Sequence, residues 1–189
     1  MDTRVKSIQF DEEEHKYFYG GKELHGVTGA IGKFMGKSFP DTDVVKLATI
    51  YGSDVHKEVE NYYNSDSKIL SSDGAKWVVE YLEQFKLKHF VNKIECEVMV
   101  SDFEGTASKI DVVVRTDVGA YIFDIKTTSR FDRAYCSLQL SVYKKLYEQC
   151  YEDNIIGMFV LGTKSKRAFR ILEQEQTKVD KILAMNKGE

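Results

Sequence analysis

The chain has 189 residues, 42% of them hydrophobic and 12% aromatic, and its 27 basic against 30 acidic side chains leave a net charge of −3. That length and apolar content suit one globular domain with a sizeable core and exclude an intrinsically disordered chain. The charge excludes a protein that binds nucleic acid through an overall positive surface, although a bound cation and a local basic stripe can hold phosphate on an acidic protein.

In chain order, the start reads as a β-hairpin, with Val5 to Phe10 and Lys16 to Tyr19 as strands, and Gly20-Gly21 turning into Lys22-Glu23-Leu24. A short helix is expected from about Thr28, burying Ala30, Ile31 and Phe34. Pro40 precedes Asp41 and Asp43, two good N-caps for a helix in which Val44, Leu47, Ala48, Tyr51, Val55, Val59 and Tyr62 recur at helical spacing. Asn64 to Ser72 is polar and reads as a loop. Ser72 or Asp73 then caps a second long helix with Trp77, Val78, Tyr81, Leu82 and Phe85 on one face. Lys93 to Val100, Gly105 to Arg115 and Ala120 to Thr127 read as successive strands, with a turn at Asp117-Val118-Gly119. Arg133 to Tyr151 is a third long helix. Asn154 to Gly162 is so apolar that it reads as a buried strand. The segment after Phe169 is expected to be a short strand and a polar, frayed helix.

This order predicts an α/β fold, a mixed sheet with helices on its faces and an α-β-β-β-α-β core. The expected organisation is a single domain: a hairpin extension over 1–40, a core over 43–161 and a C-terminal extension over 162–189. Neither an apolar N-terminal segment nor a membrane-length apolar run is present, so a cytoplasmic protein without a membrane partner is expected. Cys96, Cys136 and Cys150 match no zinc or haem spacing and read as small core residues.

The chemistry is densest between Glu97 and Lys126. Alternation along a strand puts Asp124 and Lys126 on one face, and Asp111 begins the apolar run of the preceding strand. Two acids beside an amine suit a divalent cation next to a phosphodiester. Asp111, Asp124 and the backbone carbonyl of Ile125 are candidate metal ligands. Lys126 is the candidate catalytic amine, able to orient water or stabilise developing charge. Asp124 and Lys126 alone would equally suit a surface ion pair. His56 lies one helical turn from both Gly52 and Glu60, so an imidazole shares a face with a small residue and an acid. Gln139 and Tyr143 are likewise one turn apart. Arg130, Arg133, Lys144 and Lys145, with the run Lys164, Lys166, Arg167 and Arg170, are candidates for gripping a phosphate backbone.

Taken in order, Gly52-Ser53-x-x-His56, Glu97, Gly105 with Asp111, Asp124-x-Lys126-Thr127 and Gln139-Leu140-x-x-Tyr143 resemble the PD-(D/E)xK nuclease superfamily. The resemblance is to its RecB-like exonuclease branch, which includes small phage and prophage nucleases and the mitochondrial genome maintenance exonuclease. It covers about Asp43 to Leu161. It implies a restriction-endonuclease-like core and a Mg²⁺- or Mn²⁺-dependent DNA exonuclease of phage or bacterial recombination, repair or replication. Asp111 and Asp124 resemble the metal-binding acids, Lys126 the catalytic lysine and His56 the histidine that completes the metal site. Glu97 resembles an extra acid of some members. Gln139 and Tyr143 resemble a motif that braces the site or touches DNA, with Gly52, Ser53, Glu60 and Thr127 as further support. Ile110 stands where many members have proline. Members with an iron–sulfur cluster need four cysteines, so no cluster is expected. The implied partners are single- or double-stranded DNA with ends, and a recombinase or helicase on a separate chain. A restriction-type or structure-selective endonuclease is the first alternative, and a catalytically silent DNA- or protein-binding module the second.

Overall fold

The computed structural model describes residues 1–37, 43–65 and 67–187, with 43–49 described for the backbone alone. Pro40 and Asp41 lie outside these residues, as does the side chain of Asp43. The N-terminal strand starts later than the alternation predicts. Thr3–Ser7 form a 3-10 turn, because Asp2 accepts from Arg4 N at 2.9 Å and Val5 is buried with Phe103 and Cys150. Strands β1 (Gln9–Asp11), β2 (Lys16–Tyr19) and β3 (Lys22–Gly26) then form an antiparallel meander. Gly20 and Gly21 turn β2 into β3 with φ of +57° and +80°, a region that glycine enters without steric cost.

Helix α1 (Val27–Met35) buries Val27, Ala30 and Ile31 and ends on Gly36 in the left-handed conformation. Helices α2 (Asp43–Asn64) and α3 (Asp73–His89) follow. Ser72 is the cap of α3, accepting from Ala75 N at 3.2 Å. The Glu58 carboxylate of α2 also accepts from Ser71 N and Ser72 N, at 2.8 and 3.0 Å, and so ties the loop between the helices to α2. Strands β4 (Val91–Ser101), β5 (Thr106–Thr116) and β6 (Gly119–Lys126) lead to α4 (Arg133–Tyr151), which Asp132 caps through Ala134 N and Tyr135 N. The crossover through α4 sets β7 (Ile155–Gly162) parallel to β6, and β8 (Arg167–Arg170) returns antiparallel.

The result is an α/β fold with a mixed, open eight-stranded sheet flanked by helices. Strand β4 pairs with β5 along one edge. The other edge of β5 is shared: β3 pairs in parallel at Thr106 and Ala107, and β6 pairs antiparallel from Val112 to Thr116. Among the described residues, 108–111 of β5 therefore have no strand neighbour on that side. On one face of the sheet, Ile110, Val113 and Ile122 pack with Leu140, Leu146, Ile31 and Ile182. On the other, Val112, Val114 and Phe123 pack with Val55, Val78 and Leu82.

Two expectations about the C-terminal third need correction. Strand β7 is not buried throughout: Ile156 is 37% exposed near the start of the strand, while Val160 and Leu161 are fully buried. The last helix, α5 (Gln176–Lys187), is docked rather than frayed. Val179, Ile182 and Leu183 form an i, i+3, i+4 stripe buried in the main core, and Asn186 Nδ2 donates to Thr106 Oγ1 at 3.0 Å. Three apolar residues on one face suffice to bury a helix whose other faces are polar. Among the described residues, no helix is long and apolar enough to cross a membrane.

Candidate active site

The gap beside residues 108–111 opens into a cleft of about 710 Å³. Strict alternation along β4 would put Cys96 and Val98 on one face. Instead Cys96 packs on the α2–α3 side and Val98 on the α4 side. Their partners on β5, Val112 and Ile110, divide the same way. Both strands thus exchange faces at Glu97 and Asp111. Glu97 accommodates the exchange with φ at +53°, a conformation costing about 1–2 kcal/mol for a residue with a side chain. Asn64, the last residue of α2, pins the kink: its Nδ2 donates to Cys96 O at 3.0 Å and its Oδ1 accepts from Cys96 N at 3.2 Å.

Glu97, Asp111 and His56 each present a ligand atom in one half-buried group, all within 4.8 Å of one another. Asp111 accepts from Ile125 N at 2.6 Å, and its other oxygen lies 3.6 Å from His56 Nδ1. His56 Nε2 lies 3.1 Å from Ile125 O. Two carboxylates and an imidazole form a donor set for a hard or borderline divalent cation. Burial pushes the Glu97 carboxyl up to about 7, with the Asp111 charge adding to it. A cation beside these crowded acids would relieve that repulsion.

Asp124 stands outside this three-residue group and belongs to a second one. Lys126 Nζ lies 2.9 Å from each Asp124 oxygen, yet only Oδ1 receives a well-aligned hydrogen bond, leaving buried Oδ2 with none. Burial pushes Asp124 up to about 6, against the pull of Lys126. Burial works to lower the Lys126 pKa, but the Asp124 and Asp111 charges outweigh it and raise the value, so the side chain stays an ammonium. From α4, Gln139 Oε1 accepts from Lys126 Nζ at 3.3 Å, and Gln139 Nε2 donates to Tyr143 OH at 3.1 Å. Ser108 Oγ lies 3.3 Å from the same Tyr143 hydroxyl, so a polar chain crosses the gap between β5 and the α4 layer.

No family model and no curated protein matches the chain.

The cleft brings together Gly52, Ser53, His56, Glu60, Glu97, Asp111, Asp124, Lys126, Thr127, Gln139 and Tyr143. Gly52 is small for a reason visible here: a Cβ would stand 3.1 Å from Thr127 Oγ1, so its absence lets α2 close on the end of β6. Glu60 lines the cleft but pairs with Lys57 at 2.9 Å rather than supporting His56. Lys144 is taken by Glu148 at 2.9 Å and by Glu173, and Lys145 by Asp180, so both serve the α4 surface and not the cleft. Arg133 and Arg167 flank the Phe169 ring, and Lys164 Nζ lies 4.7 Å from the centre of the Tyr51 ring. Arg130, Lys164, Lys166 and Arg167 are exposed. Lys126 pairs with Gly162 across β6 and β7, so the β7–β8 turn that carries Lys164 and Lys166 leaves the sheet at the end where Lys126 lies.

Sequence reasoning missed Asn64 and Ser108, as well as the hairpin's share of the cleft, Phe10, Glu12, His15 and Tyr17. Only the GxxxxxD spacing around Ser108 drew attention to that strand. Nothing in the spacing of the hairpin indicates that it reaches the site.

Proposed function

We propose that the chain is a metal-dependent deoxyribonuclease that hydrolyses phosphodiester bonds from DNA ends. One observation carries the reading: the ammonium of Lys126, bound to buried Asp124, shares a cleft with the His56, Glu97 and Asp111 donor group. When bound there, Mg²⁺ or Mn²⁺ supplies neutralisation of phosphate charge and a water of lowered pKa. His56, Glu97 and Asp111 are the ligands the donor set favours, with Asp124 Oδ2 and the Ile125 carbonyl as further oxygen donors. The imidazole makes Mn²⁺ at least as good an occupant as Mg²⁺.

Lys126 acts as a fixed positive charge and hydrogen-bond donor. Its raised pKa makes it a poor proton acceptor, and a good partner for charge developing on phosphorus oxygens. Gln139 and Tyr143 position it, and Asp124 sets the direction in which its charge points. The cleft volume suits a nucleotide-sized group. Exposed Arg130, Lys164, Lys166 and Arg167 are the candidates for holding the phosphate backbone. The choice of DNA ends rests on the motif order shared with the RecB-like branch, as does a setting in phage or bacterial recombination or repair with a helicase or recombinase on another chain. The reading calls for no iron–sulfur cluster.

The test is cleavage of linear single-stranded DNA, linear duplex and covalently closed circles in Mg²⁺ and in Mn²⁺, with Lys126→Ala as control. Loss of linear DNA alone, abolished by the substitution, is the expected outcome. Cutting of closed circles would replace the exonuclease with an endonuclease. No cutting of any substrate by folded, metal-loaded protein would leave a binding module.

A further inference from the structure

We propose that the N-terminal hairpin selects the substrate strand: its Phe10–His15 edge stacks an unpaired base of the strand being cut, and its acidic turn turns away a second strand. The inference rests on the nuclease reading and names the substrate class as single-stranded DNA or an unpaired end. The hairpin is built onto the sheet and not loosely appended, since β3 pairs with β5 at Thr106 and Ala107. Lys22 Nζ also donates to Glu104 O at 2.5 Å. Its far end reaches the cleft, where Phe10, Glu12 and His15 line the same wall as Lys109.

The Phe10 ring is half-buried, 4.7 Å from the Tyr17 ring and with Lys109 Nζ 4.0 Å from its centre. The exposed His15 ring stands edge-on at 5.1 Å, carried by a backbone with φ at +53°. The turn is held by Asp11, whose Oδ1 accepts from Glu13 N and Glu14 N, each at 3.0 Å. Two rings at a fixed angle on the rim of a phosphate-cutting cleft suit a nucleobase, because every base offers a flat face for stacking. The Lys109 ammonium over the Phe10 ring also pairs with Glu97 at 3.8 Å, which links the platform to the candidate metal ligands.

Charge fixes the orientation. Asp11, Glu12, Glu13 and Glu14 are all exposed, and the ion pair with Lys16 neutralises only Glu14. A phosphate backbone is repelled from that tip and attracted to the basic β7–β8 turn. The hairpin and the β7–β8 turn lie at opposite ends of the strand order, on either side of the gap between β3 and β6, and a single strand satisfies both by turning its bases to the hairpin. A duplex cannot, because its second backbone would meet the carboxylates.

The test uses the full chain carrying Lys126→Ala, so that binding is read without cutting, with labelled oligonucleotides in Mn²⁺. The probes are a single strand, the same strand with abasic residues at its end, and a duplex. Abasic residues and Phe10→Leu, which keeps apolar bulk but removes the flat face, should each weaken single-strand binding about tenfold, and together scarcely more. His15→Ala, at an exposed position, should act in the same direction, and its melting temperature reports intact folding. Glu12→Gln with Glu13→Gln should raise duplex affinity several-fold. Equal binding of natural and abasic strands, or a parent protein that binds duplex as well as single strand, would overturn the proposal. Cleavage by the unsubstituted chain is read separately. A protein that cuts but ignores the abasic change loses only this inference, and one that stacks bases but cuts nothing loses the nuclease reading and keeps the hairpin only as a single-strand contact.

Discussion

Glu97 faces Asp111 across the β4–β5 ladder at the point where both strands exchange the faces they bury. The pairs on either side, Cys96 with Val112 and Val98 with Ile110, keep one register, so nothing is inserted in either strand there. The exchange is absorbed by a left-handed backbone at Glu97 and held by two hydrogen bonds between Asn64 and Cys96, one in each direction. Strain at a residue whose carboxylate joins a group that could hold a metal ion is the pattern expected where function over-rules local preference.

Lys126→Ala should lower cleavage about 10²–10³-fold, the range for removing one preorganised donor to developing charge. DNA binding should change much less, since the exposed basic residues are untouched. Single-turnover rates beside anisotropy titrations separate the two. An equal loss in rate and in affinity would make Lys126 a binding residue.

Tyr143→Phe tests the polar chain behind Lys126. The substitution removes the hydroxyl that receives Gln139 Nε2 and leaves the apolar ring in place. A rate loss of about tenfold is expected, with little change in Mn²⁺ affinity, because the hydroxyl bonds Gln139 and Ser108 rather than His56, Glu97 or Asp111. A calorimetric Mn²⁺ titration that shifted with the rate would contradict this division.

Stability without metal should fall as pH rises from about 5 to 7.5. Glu97 and Asp124 are raised to about 7 and about 6, whereas both titrate near 4 when unfolded. Between about pH 4 and 7 the native protein therefore carries more protons than the unfolded chain, and raising the pH favours unfolding. Glu95 and Asp132 are held below the usual carboxylate range, so their opposite contribution is complete by about pH 5. Melting curves in a chelator should show the decline, Mn²⁺ should oppose it, and Glu97→Gln should flatten it. A melting temperature that rises with pH in chelator would contradict the assignment.

Gly105→Ala should cost about 1–3 kcal/mol, as overpacking against a part that cannot yield. A Cβ there would stand 2.7 Å from Asn186 O and 2.8 Å from Asn186 C, which are backbone atoms of docked α5. Thermal unfolding measures the loss. No change would mean that α5 lifts off at no cost, as the frayed helix expected from its polar sequence would.

If Lys166 and Arg167 hold phosphates, replacing each by alanine should weaken DNA binding at low salt and reduce the slope of log affinity against log salt by about one per lost contact. Lys144→Ala should leave the slope unchanged, because Glu148 and Glu173 already occupy that charge. Equal effects at all three positions would contradict the assignment of the grip to the β7–β8 turn.

The sequence by itself determined the long helices, the central strands and most of the chemistry of the cleft. Apolar spacing located α2, α3 and α4, and runs such as Val112-Val113-Val114 and Tyr121-Ile122-Phe123 located β5 and β6, because both patterns follow from which side chains must leave water. The order of His56, Asp111, Asp124, Lys126, Gln139 and Tyr143 was legible for the same local reason: each sits at a readable place on a helix or strand. Three things needed the tertiary structure. Alternation cannot reveal that Cys96 and Val98 part company, since the exchange of faces depends on what packs above and below the sheet. It cannot reveal that β3 and β6 divide one edge of β5, which leaves 108–111 paired on the β4 side alone among the described residues and opens the cleft, since strand pairing joins residues far apart in the chain. Nor can it place Phe10 and His15 on the cleft that Asp111 lines, about a hundred residues away in sequence, because only the closing of β3 onto β5 brings the hairpin there.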